Sequence, residues 1–195
     1  MDCSKTRFVF FECTNVRCGL RFPLDTQIYG GTYCPRCGAL LQKQEAGVLA
    51  HKPPSAPRPG FKLIGALDNI RSAHNVGAIY RTADGVGLTE LLLGGITPSP
   101  NEQPAIGKTA LGAETIIKWS YHANLPEKLS GLKATNCLIL ALETTPEAKP
   151  LHEFQFSDVS PSQVCLVVGS EPAGVDPAIL RIADQVLYIP MSGEK

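Results

Sequence analysis

The sequence predicts an α/β domain with a mostly parallel sheet covered by helices on both faces, preceded by a small metal-binding module. Three observations support this prediction. From residue 61 onward, short apolar runs alternate with segments of helical periodicity, the pattern of parallel strands joined by helices. Within residues 1–45, four of the five cysteines occur as two pairs, and Cys3 stands apart from them. Between these parts, residues 46–60 contain four prolines, a composition typical of an extended linker.

The elements of residues 61–195 follow from apolar runs and helical spacing. Six short apolar runs are predicted to be buried strands, and four segments with apolar residues three or four positions apart are predicted to be helices. The strands are Leu63–Leu67, Glu90–Leu93, Thr115–Trp119, Cys137–Leu142, Val164–Val168 and Val186–Ile189, and the helices are 75–84, 105–112, 124–131 and 176–183.

The N-terminal cysteines have the spacing of a zinc ribbon. Each pair is followed by a glycine, which lets backbone amides approach the sulfurs, and four thiolates complete a closed tetrahedral zinc site. The predicted ligands are Cys13, Cys18, Cys34 and Cys37. A redox pair formed by the last two would leave the first two unexplained. A module this small also needs the metal to fold, so the predicted zinc is structural.

The charge distribution indicates that the N-terminal part is suited to bind a polyanion. Residues 1–62 carry nine Lys and Arg against four Asp and Glu, a net charge of +5, and the remainder carries −5. Such an excess suits a polyanion such as a nucleic acid, and it is equally compatible with an ordinary solvated surface. No run of 18 apolar residues occurs and the N-terminus lacks the apolar stretch of a signal peptide. We therefore expect no membrane contact and a cytoplasmic location.

Three strand ends carry segments that folding alone does not require, at residues 68–83, 165–176 and 187–195. Each follows an apolar run, so these loops are expected at the carboxyl edge of the sheet, where ligands bind in open α/β folds. A dinucleotide fingerprint fails, because Gly85-Val-Gly87 is followed by Glu90 where the third glycine should stand. No Walker sequence or Gly-x-Ser-x-Gly frame occurs. The three segments therefore indicate a ligand site that is neither a dinucleotide site, a Walker phosphate site nor a nucleophile elbow.

The three segments together resemble the motifs of the TrmH (SpoU) family of RNA 2′-O-ribose methyltransferases, within the SPOUT class. The resemblance covers residues 62–195. The family motifs read Asn-x-Gly-x-x-x-Arg-Thr, then Gly-x-Glu-x-x-Gly, then Ile-Pro-Met with a glycine-rich turn into Ser-Leu-Asn. The matching residues are Asn75, Gly77, Arg81 and Thr82, then Gly169, Glu171 and Gly174, then Ile189, Pro190, Met191 and Gly193. The sequence ends at Lys195, so we expect the third motif to be incomplete, and whether a chain of this length is active stays open.

The resemblance implies an enzyme that uses S-adenosylmethionine to methylate a ribose 2′-hydroxyl in tRNA or rRNA, with a trefoil-knotted domain and a homodimer completing the site. In the family the first-motif arginine acts at the hydroxyl. Arg81 is therefore the predicted proton acceptor or, since the pKa of arginine exceeds about 12, a clamp for phosphate and ribose. Asn75 is predicted to fix the ribose or the arginine, and its position equally suits a helix N-cap. Glu171 is predicted to pair with Arg81 or another arginine, unless it merely benefits from a nearby helix N-terminus.

The resemblance also assigns cofactor contacts. Gly169 and Ile189 match positions whose backbone binds the cofactor, Met191 is expected to line the adenine pocket and Leu142 to close it. Ordinary core packing is the alternative for Ile189 and Met191. Two other functions stay open: a non-catalytic RNA-binding or adaptor protein on a decayed SPOUT scaffold, and a methyltransferase acting on an RNA base.

Overall fold

The computed structural model describes residues 7–47, 60–155 and 162–193. The chain divides into two compact units, Met1–Ser55 and Ala56–Lys195. Most of the proline-rich segment predicted to be a linker, residues 48–59, lies outside the described residues. In the described part of the chain, no helix has the length and apolar character that crossing a membrane requires.

The N-terminal unit contains a three-stranded antiparallel sheet. Its strands are β1 (Phe8–Cys13), β2 (Arg21–Asp25) and β3 (Leu41–Ala46), in the order β2-β1-β3. Along β1 the buried residues alternate with more exposed ones, so that Val9, Phe11 and Cys13 point to one face. The cysteine pairs occupy the turns that follow β1 and precede β3.

The C-terminal unit is built on a seven-stranded sheet in the order β6-β5-β4-β9-β7-β10-β8. The strands are β4 (Lys62–Asp68), β5 (Glu90–Gly94), β6 (Lys118–His122), β7 (Cys137–Leu142), β8 (Lys149–Pro150), β9 (Gln163–Gly169) and β10 (Gln185–Tyr188). Every neighbouring pair is parallel. The predicted mostly parallel α/β sheet is therefore confirmed.

Helices cover both faces of this sheet, as predicted. The helices are α1 (Ala73–Val86), α2 (Gly107–Ala110), α3 (Ala113–Ile116), α4 (Leu125–Ala134) and α5 (Pro177–Ile182), with 3-10 turns at Pro104–Ile106 and Leu151–Glu153. On one face, α4 and α5 pack against alternate residues of the central strands, including Ile139 and Val167. On the other, α1, α2 and α3 pack against β4 and β5 around the fully buried Tyr80.

Two predicted elements differ from the structure between residues 105 and 122. The single helix predicted at 105–112 is a 3-10 turn followed by the short α2, because Leu111 and Gly112 adopt positive φ angles of 53° and 95° that end it. The chain then forms α3, so the strand predicted at Thr115–Trp119 begins only at Lys118. The two-residue strand β8 was not predicted, because a dipeptide ending in proline gives no periodic signal.

Candidate active site and metal centre

The loop after β9 owes its shape to two glycines of the second motif. Ser170 and Gly174 exchange backbone hydrogen bonds of 3.1 and 2.8 Å, which folds residues 170–174 into a tight hairpin. A Cβ on Gly169 would lie 2.3 Å from the carbonyl carbon of Gly174. Gly174 itself has a φ of 71°, which side chains other than glycine rarely adopt. The two glycines therefore allow the loop to pack closely against the end of β9.

A glutamate outside the predicted motifs joins this loop to the end of β7. Glu143 Oε2 accepts a 2.8 Å hydrogen bond from the backbone N–H of Val175, and Oε1 accepts one of 2.8 Å from that of Thr144. A Cβ on Gly174 would lie 2.4 Å from the same carboxylate. Glu143 thus ties together the loops that follow β7 and β9, and the second glycine leaves room for it.

These two loops enclose a cleft of about 640 Å³ at the carboxyl end of the sheet. Leu142 and Gly169, both predicted to contact a cofactor, line the cleft together with Glu143, Ser170 and Leu180. Its volume lies within the range of about 300–1,000 Å³ that is usual for small-molecule sites. The lining combines apolar side chains with backbone and carboxylate groups, so the cleft offers both apolar and polar contacts to a small ligand.

Asn75 and Glu171 come from different motifs and meet beside this cleft. The amide Nδ2 of Asn75 donates a hydrogen bond to Glu171 Oε1. Hydrogen bonds from the backbone N–H of Glu171 itself and from Asn75 lower the pKa of the Glu171 carboxyl, with a further contribution from Arg71. The helix N-cap is Ser72, whose Oγ accepts from the Asn75 backbone N–H. The N-cap interpretation of Asn75 is therefore wrong, and its side chain is free to hold Glu171.

Arg81 does not meet Glu171. It lies six residues beyond Asn75 on α1, which places it about 9 Å further along the axis and on a different side of the helix. Its side chain is exposed, and it forms no ion pair with any residue in 7–47, 60–155 or 162–193. The arginine close to Glu171 is Arg71, which belongs to the same segment and was not predicted.

The remaining predicted cofactor residues do not line the cleft. Ile189 and Met191 follow β10 and are 54% and 72% exposed, and neither lines the cleft described above. An open apolar groove of about 740 Å³ runs instead between α1 and the sheet, with Ile79 on one wall and Leu166 on the other. Asn75, Gly169 and Glu171 line this groove, and Gly169 and Glu171 also line the cleft.

One further residue that the sequence analysis missed holds the start of α5. Asp68, at the end of β4, is 1% exposed, and its Oδ2 accepts a 2.7 Å hydrogen bond from the backbone N–H of Asp176. Burial raises the pKa of the Asp68 carboxyl. Asp176 in turn caps α5 through a 2.7 Å bond from the Ala178 backbone N–H. The position of Asp68 at a strand end was the signal available in the sequence. Its contact with Asp176, 108 residues away, could not be read from the sequence.

The four N-terminal cysteines form one cluster. The sulfur atoms of Cys13, Cys18, Cys34 and Cys37 all lie within 4.8 Å of one another. The shortest separations are 3.4 Å between Cys13 and Cys37 and 3.8 Å between Cys18 and Cys34. Burial raises the pKa of Cys13 to about 12. Four thiols this close ionise together only if a cation neutralises them, so the cluster is suited to bind a metal ion.

Comparison with known proteins identifies the C-terminal unit. The model of the SpoU rRNA Methylase family matches residues 62–195. The chain belongs to this family. The resemblance to TrmH (SpoU) enzymes that the three motifs indicated is thereby confirmed, and the all-parallel sheet described above is the SpoU domain.

Relatives with known names share the same region. The 23S rRNA (guanosine-2′-O-)-methyltransferase RlmB of Acinetobacter baylyi is 32% identical over 135 residues, covering 67% of this chain and 51% of the relative. The tRNA (guanosine(18)-2′-O)-methyltransferase of Escherichia coli is 28% identical over 127 residues, covering 65% and 52%. The chain therefore spans about half the length of the curated relatives it matches.

Two solved structures of RNA-modifying enzymes resemble the described fold. The TrmH/SpoU tRNA modifying enzyme of A. aeolicus has a TM-score of 0.60 at 30% identity, covering 69% of this chain and 65% of that one. An AdoMet-bound rRNA methyltransferase from Sinorhizobium meliloti has a TM-score of 0.61 at 26% identity, covering 68% and 49%.

Proposed function

We propose that this protein uses S-adenosylmethionine to methylate a ribose 2′-hydroxyl of tRNA or rRNA. The contact between Asn75 and Glu171 beside the cleft is the observation that carries the proposal, because it unites two motifs at the carboxyl edge of a parallel sheet. The relatives are named as 2′-O-methyltransferases of rRNA and tRNA, which supports the same reaction here.

The cleft beside Leu142 and Gly169 is the proposed cofactor site. Leu142 and Leu180 offer apolar surface to a nucleoside, and Gly169 offers backbone groups. Glu143 keeps the two loops of the cleft at a fixed spacing through its hydrogen bonds to Val175 and Thr144. When bound, S-adenosylmethionine supplies a methyl group that its positively charged sulfur already activates.

Asn75 is the proposed contact for the ribose. Its Nδ2 is committed to Glu171, so the amide oxygen Oδ1 is left to accept a hydrogen bond from a 2′-hydroxyl. Glu171 acts through Asn75 as a positioning residue, because its carboxylate fixes which end of the amide faces the substrate. The first turn of α1 and the loop after β9 therefore set the orientation of one hydroxyl, which is the main requirement of a methyl transfer between aligned groups.

Arg81 is the proposed residue that acts on the RNA backbone. Its guanidinium is exposed and has no ion-pair partner within the described part of the chain, which suits it to bind a phosphate next to the reacting ribose. Two roles stay open, acceptance of the 2′-hydroxyl proton and clamping of phosphate and ribose. The pKa of arginine, above about 12, favours the clamp.

A methyl-transfer assay with labelled S-adenosylmethionine and unfractionated tRNA and rRNA, followed by nucleoside analysis, tests the proposal. We expect label on 2′-O-methyl nucleosides. Arg81→Ala should lower the rate at least about a hundredfold, and Arg81→Lys should recover part of it if the residue is a phosphate clamp. Arg181→Ala, which removes an exposed arginine from α5, is the matched control. Label on a base would show a base methyltransferase instead.

The alternative of a non-catalytic RNA-binding protein is favoured by one observation: Ile189 and Met191 are exposed and do not line the cleft. Titration with S-adenosylmethionine separates the two functions. Saturable binding that Gly169→Ala weakens supports the enzyme, whereas RNA binding without cofactor binding and without transfer supports the adaptor.

We also propose that the cysteine cluster holds one structural zinc ion, because four thiolates in a closed set match the preference of zinc. The division into a ribbon at 1–45, a linker at 46–60 and a methyltransferase domain at 61–195 is proposed as well.

A homodimer is proposed, with the open apolar groove beside α1 as its interface. Sedimentation velocity measures the oligomeric state. The knotted topology and the cytoplasmic location stay predictions.

A further inference from the structure

The turns that carry the four cysteines expose both charged and apolar side chains. Val16 and Arg17 lie between Cys13 and Cys18, and Arg36 lies between Cys34 and Cys37. Tyr33 precedes the second turn and Leu40 follows it. We call Val16, Arg17, Tyr33, Arg36 and Leu40 the knuckle surface. Three of its apolar side chains are largely exposed: Val16 by 95%, Tyr33 by 66% and Leu40 by 56%.

The knuckle surface is held in place by backbone bonds. In the first turn, the backbone N–H of Cys18 donates to Asn15 O at 2.9 Å, and in the second that of Gly38 donates to Cys34 O at 2.9 Å. The backbone N–H and Oγ1 of Thr14 both donate to Leu40 O, at 3.0 and 2.9 Å, which joins the two turns. The surface is therefore fixed before any partner binds.

The charges of this unit separate into paired and unpaired groups. Residues 7–47 contain three acidic residues, and each is in an ion pair: Asp25 with Arg7, and both Glu12 and Glu45 with Arg21. Arg17, Arg36 and Lys43 have no ion-pair partner among the described residues. Two of these three unpaired cations belong to the knuckle surface. The strands of the unit are thus compensated internally, while its cysteine end is not.

Tyr33 is positioned for ring stacking. It forms an antiparallel bridge with Leu40, so the two side chains lie on the same face as direct cross-strand neighbours. The pair presents an exposed ring supported by an aliphatic side chain, next to Arg36 in the adjoining turn. Aromatic rings that stack bases, combined with arginines that bind phosphate, are the usual means of binding unpaired nucleotides.

We propose that the knuckle surface binds single-stranded segments of the RNA substrate, with Arg17 and Arg36 on phosphates and Tyr33 stacked on a base. This inference rests on the proposed RNA methyltransferase function. The main competing explanation is that the two arginines merely compensate the cysteine centre, because Zn²⁺ with four thiolates has a net charge of −2.

The test uses the full chain and measures binding of a fluorescein-labelled single-stranded oligouridylate by anisotropy at several salt concentrations. Arg17→Gln/Arg36→Gln should weaken binding and reduce the slope of log K against log salt by about 1.4, or roughly 0.7 for each phosphate that the protein no longer neutralises. Arg21→Gln/Lys43→Gln removes the same charge from the strands and should leave the slope close to that of the parent protein.

Tyr33 is tested separately from the charges. Tyr33→Ala should weaken oligouridylate binding about tenfold or more, as removal of one stacking interaction does. Tyr33→Phe keeps the ring and should bind like the parent protein. A fully paired RNA duplex should bind more weakly than the single strand and should not respond to Tyr33→Ala.

The outcomes distinguish this inference from the proposed function. An unchanged oligouridylate affinity and salt slope in Arg17→Gln/Arg36→Gln would overturn the inference, and so would a lower zinc content without a change in slope, which would assign the arginines to the metal. Methyl transfer measured on the same samples reports on the proposed function alone. Its persistence beside an unchanged slope would locate the RNA contact elsewhere on an active enzyme.

Discussion

The two units of this chain differ in how much apolar surface each buries. In residues 7–47, the buried apolar side chains are Val9 and Phe11, together with two of the clustered cysteines. The C-terminal unit has a buried cluster on each face of its sheet, with residues such as Ile139 and Leu91 fully enclosed. Apolar burial supplies most of the stability of a folded domain. The N-terminal unit is therefore expected to depend on the proposed metal ion, and the C-terminal unit on its core.

Metal removal should separate the two units most clearly. Apparent binding energies of structural zinc reach about 10–16 kcal/mol, more than a small sheet with two buried apolar residues supplies. Chelation, or Cys34→Ser, should unfold the N-terminal unit and leave the C-terminal unit folded, as observed by NMR or by thermal unfolding. Cys137→Ala, which removes a thiol buried in β7, should leave the metal content unchanged. A folded, metal-free N-terminal unit would contradict the comparison.

The converse change removes core volume from the C-terminal unit. Ile139 is fully buried in β7 beneath α4 and α5, so Ile139→Ala should cost about 2–5 kcal/mol through reduced burial and the cavity left behind. Ile116→Ala at a side chain that is 68% exposed is the control, with a cost within about 0.5 kcal/mol. Urea unfolding measures both, and the zinc content should not change. Loss of zinc in Ile139→Ala would show that the units do not fold independently.

A glycine of the proposed cofactor cleft tests the C-terminal unit at the carboxyl end of its sheet. In Gly169→Ala, the new methyl group would lie 2.3 Å from the carbonyl carbon of Gly174, so the loop must move and the stability cost should be about 1–3 kcal/mol. S-adenosylmethionine affinity, measured by calorimetry, should fall at least about tenfold, which corresponds to about 1.4 kcal/mol. Gly85→Ala, where a Cβ meets nothing within 4 Å on helix α1, should instead stabilise by about 0.5–1 kcal/mol. Equal affinities in the two variants would remove the cleft from consideration as the cofactor site.

The same contrast explains what the sequence could predict. Strands such as Cys137–Leu142 were predicted at their observed bounds, because a run buried on both faces is continuously apolar. The four cysteines were found from spacing alone, and their sulfurs do converge. Periodicity failed where left-handed backbone at Leu111 and Gly112 interrupts a helical pattern, since a leucine gives no sign of a positive φ.

Contacts between strand ends were the least predictable part of the site. Asn75 and Glu171 were each found as members of a motif, but their hydrogen bond spans 96 residues and depends on where α1 begins. Glu143 belongs to no motif, and its role arises only because β7 lies beside β9. Arg71 was overlooked although it stands four residues before Asn75, because its proximity to Glu171 follows from the loop preceding α1 rather than from any spacing.

The smallest expected effect concerns a buried hydroxyl group in the core of the C-terminal unit. Tyr80 is fully buried, and its hydroxyl has no hydrogen-bond partner among the described residues. Burial, and then the nearby Glu114, raise the pKa of Tyr80, so the group stays neutral and desolvated. Tyr80→Phe should therefore be neutral or stabilise the C-terminal unit by up to about 1 kcal/mol in urea unfolding.

Tyr121→Phe provides the matched comparison, because the Tyr121 hydroxyl is exposed and donates a 2.9 Å hydrogen bond to Gly95 O. Removing it should cost up to about 1 kcal/mol, the opposite sign from Tyr80→Phe. A cost of about 1 kcal/mol or more in Tyr80→Phe would mean that an ordered water satisfies the buried hydroxyl. The core beneath α1 would then contain a bound water molecule. The contrast in apolar burial with the N-terminal unit would rest on the cluster around Ile139 alone.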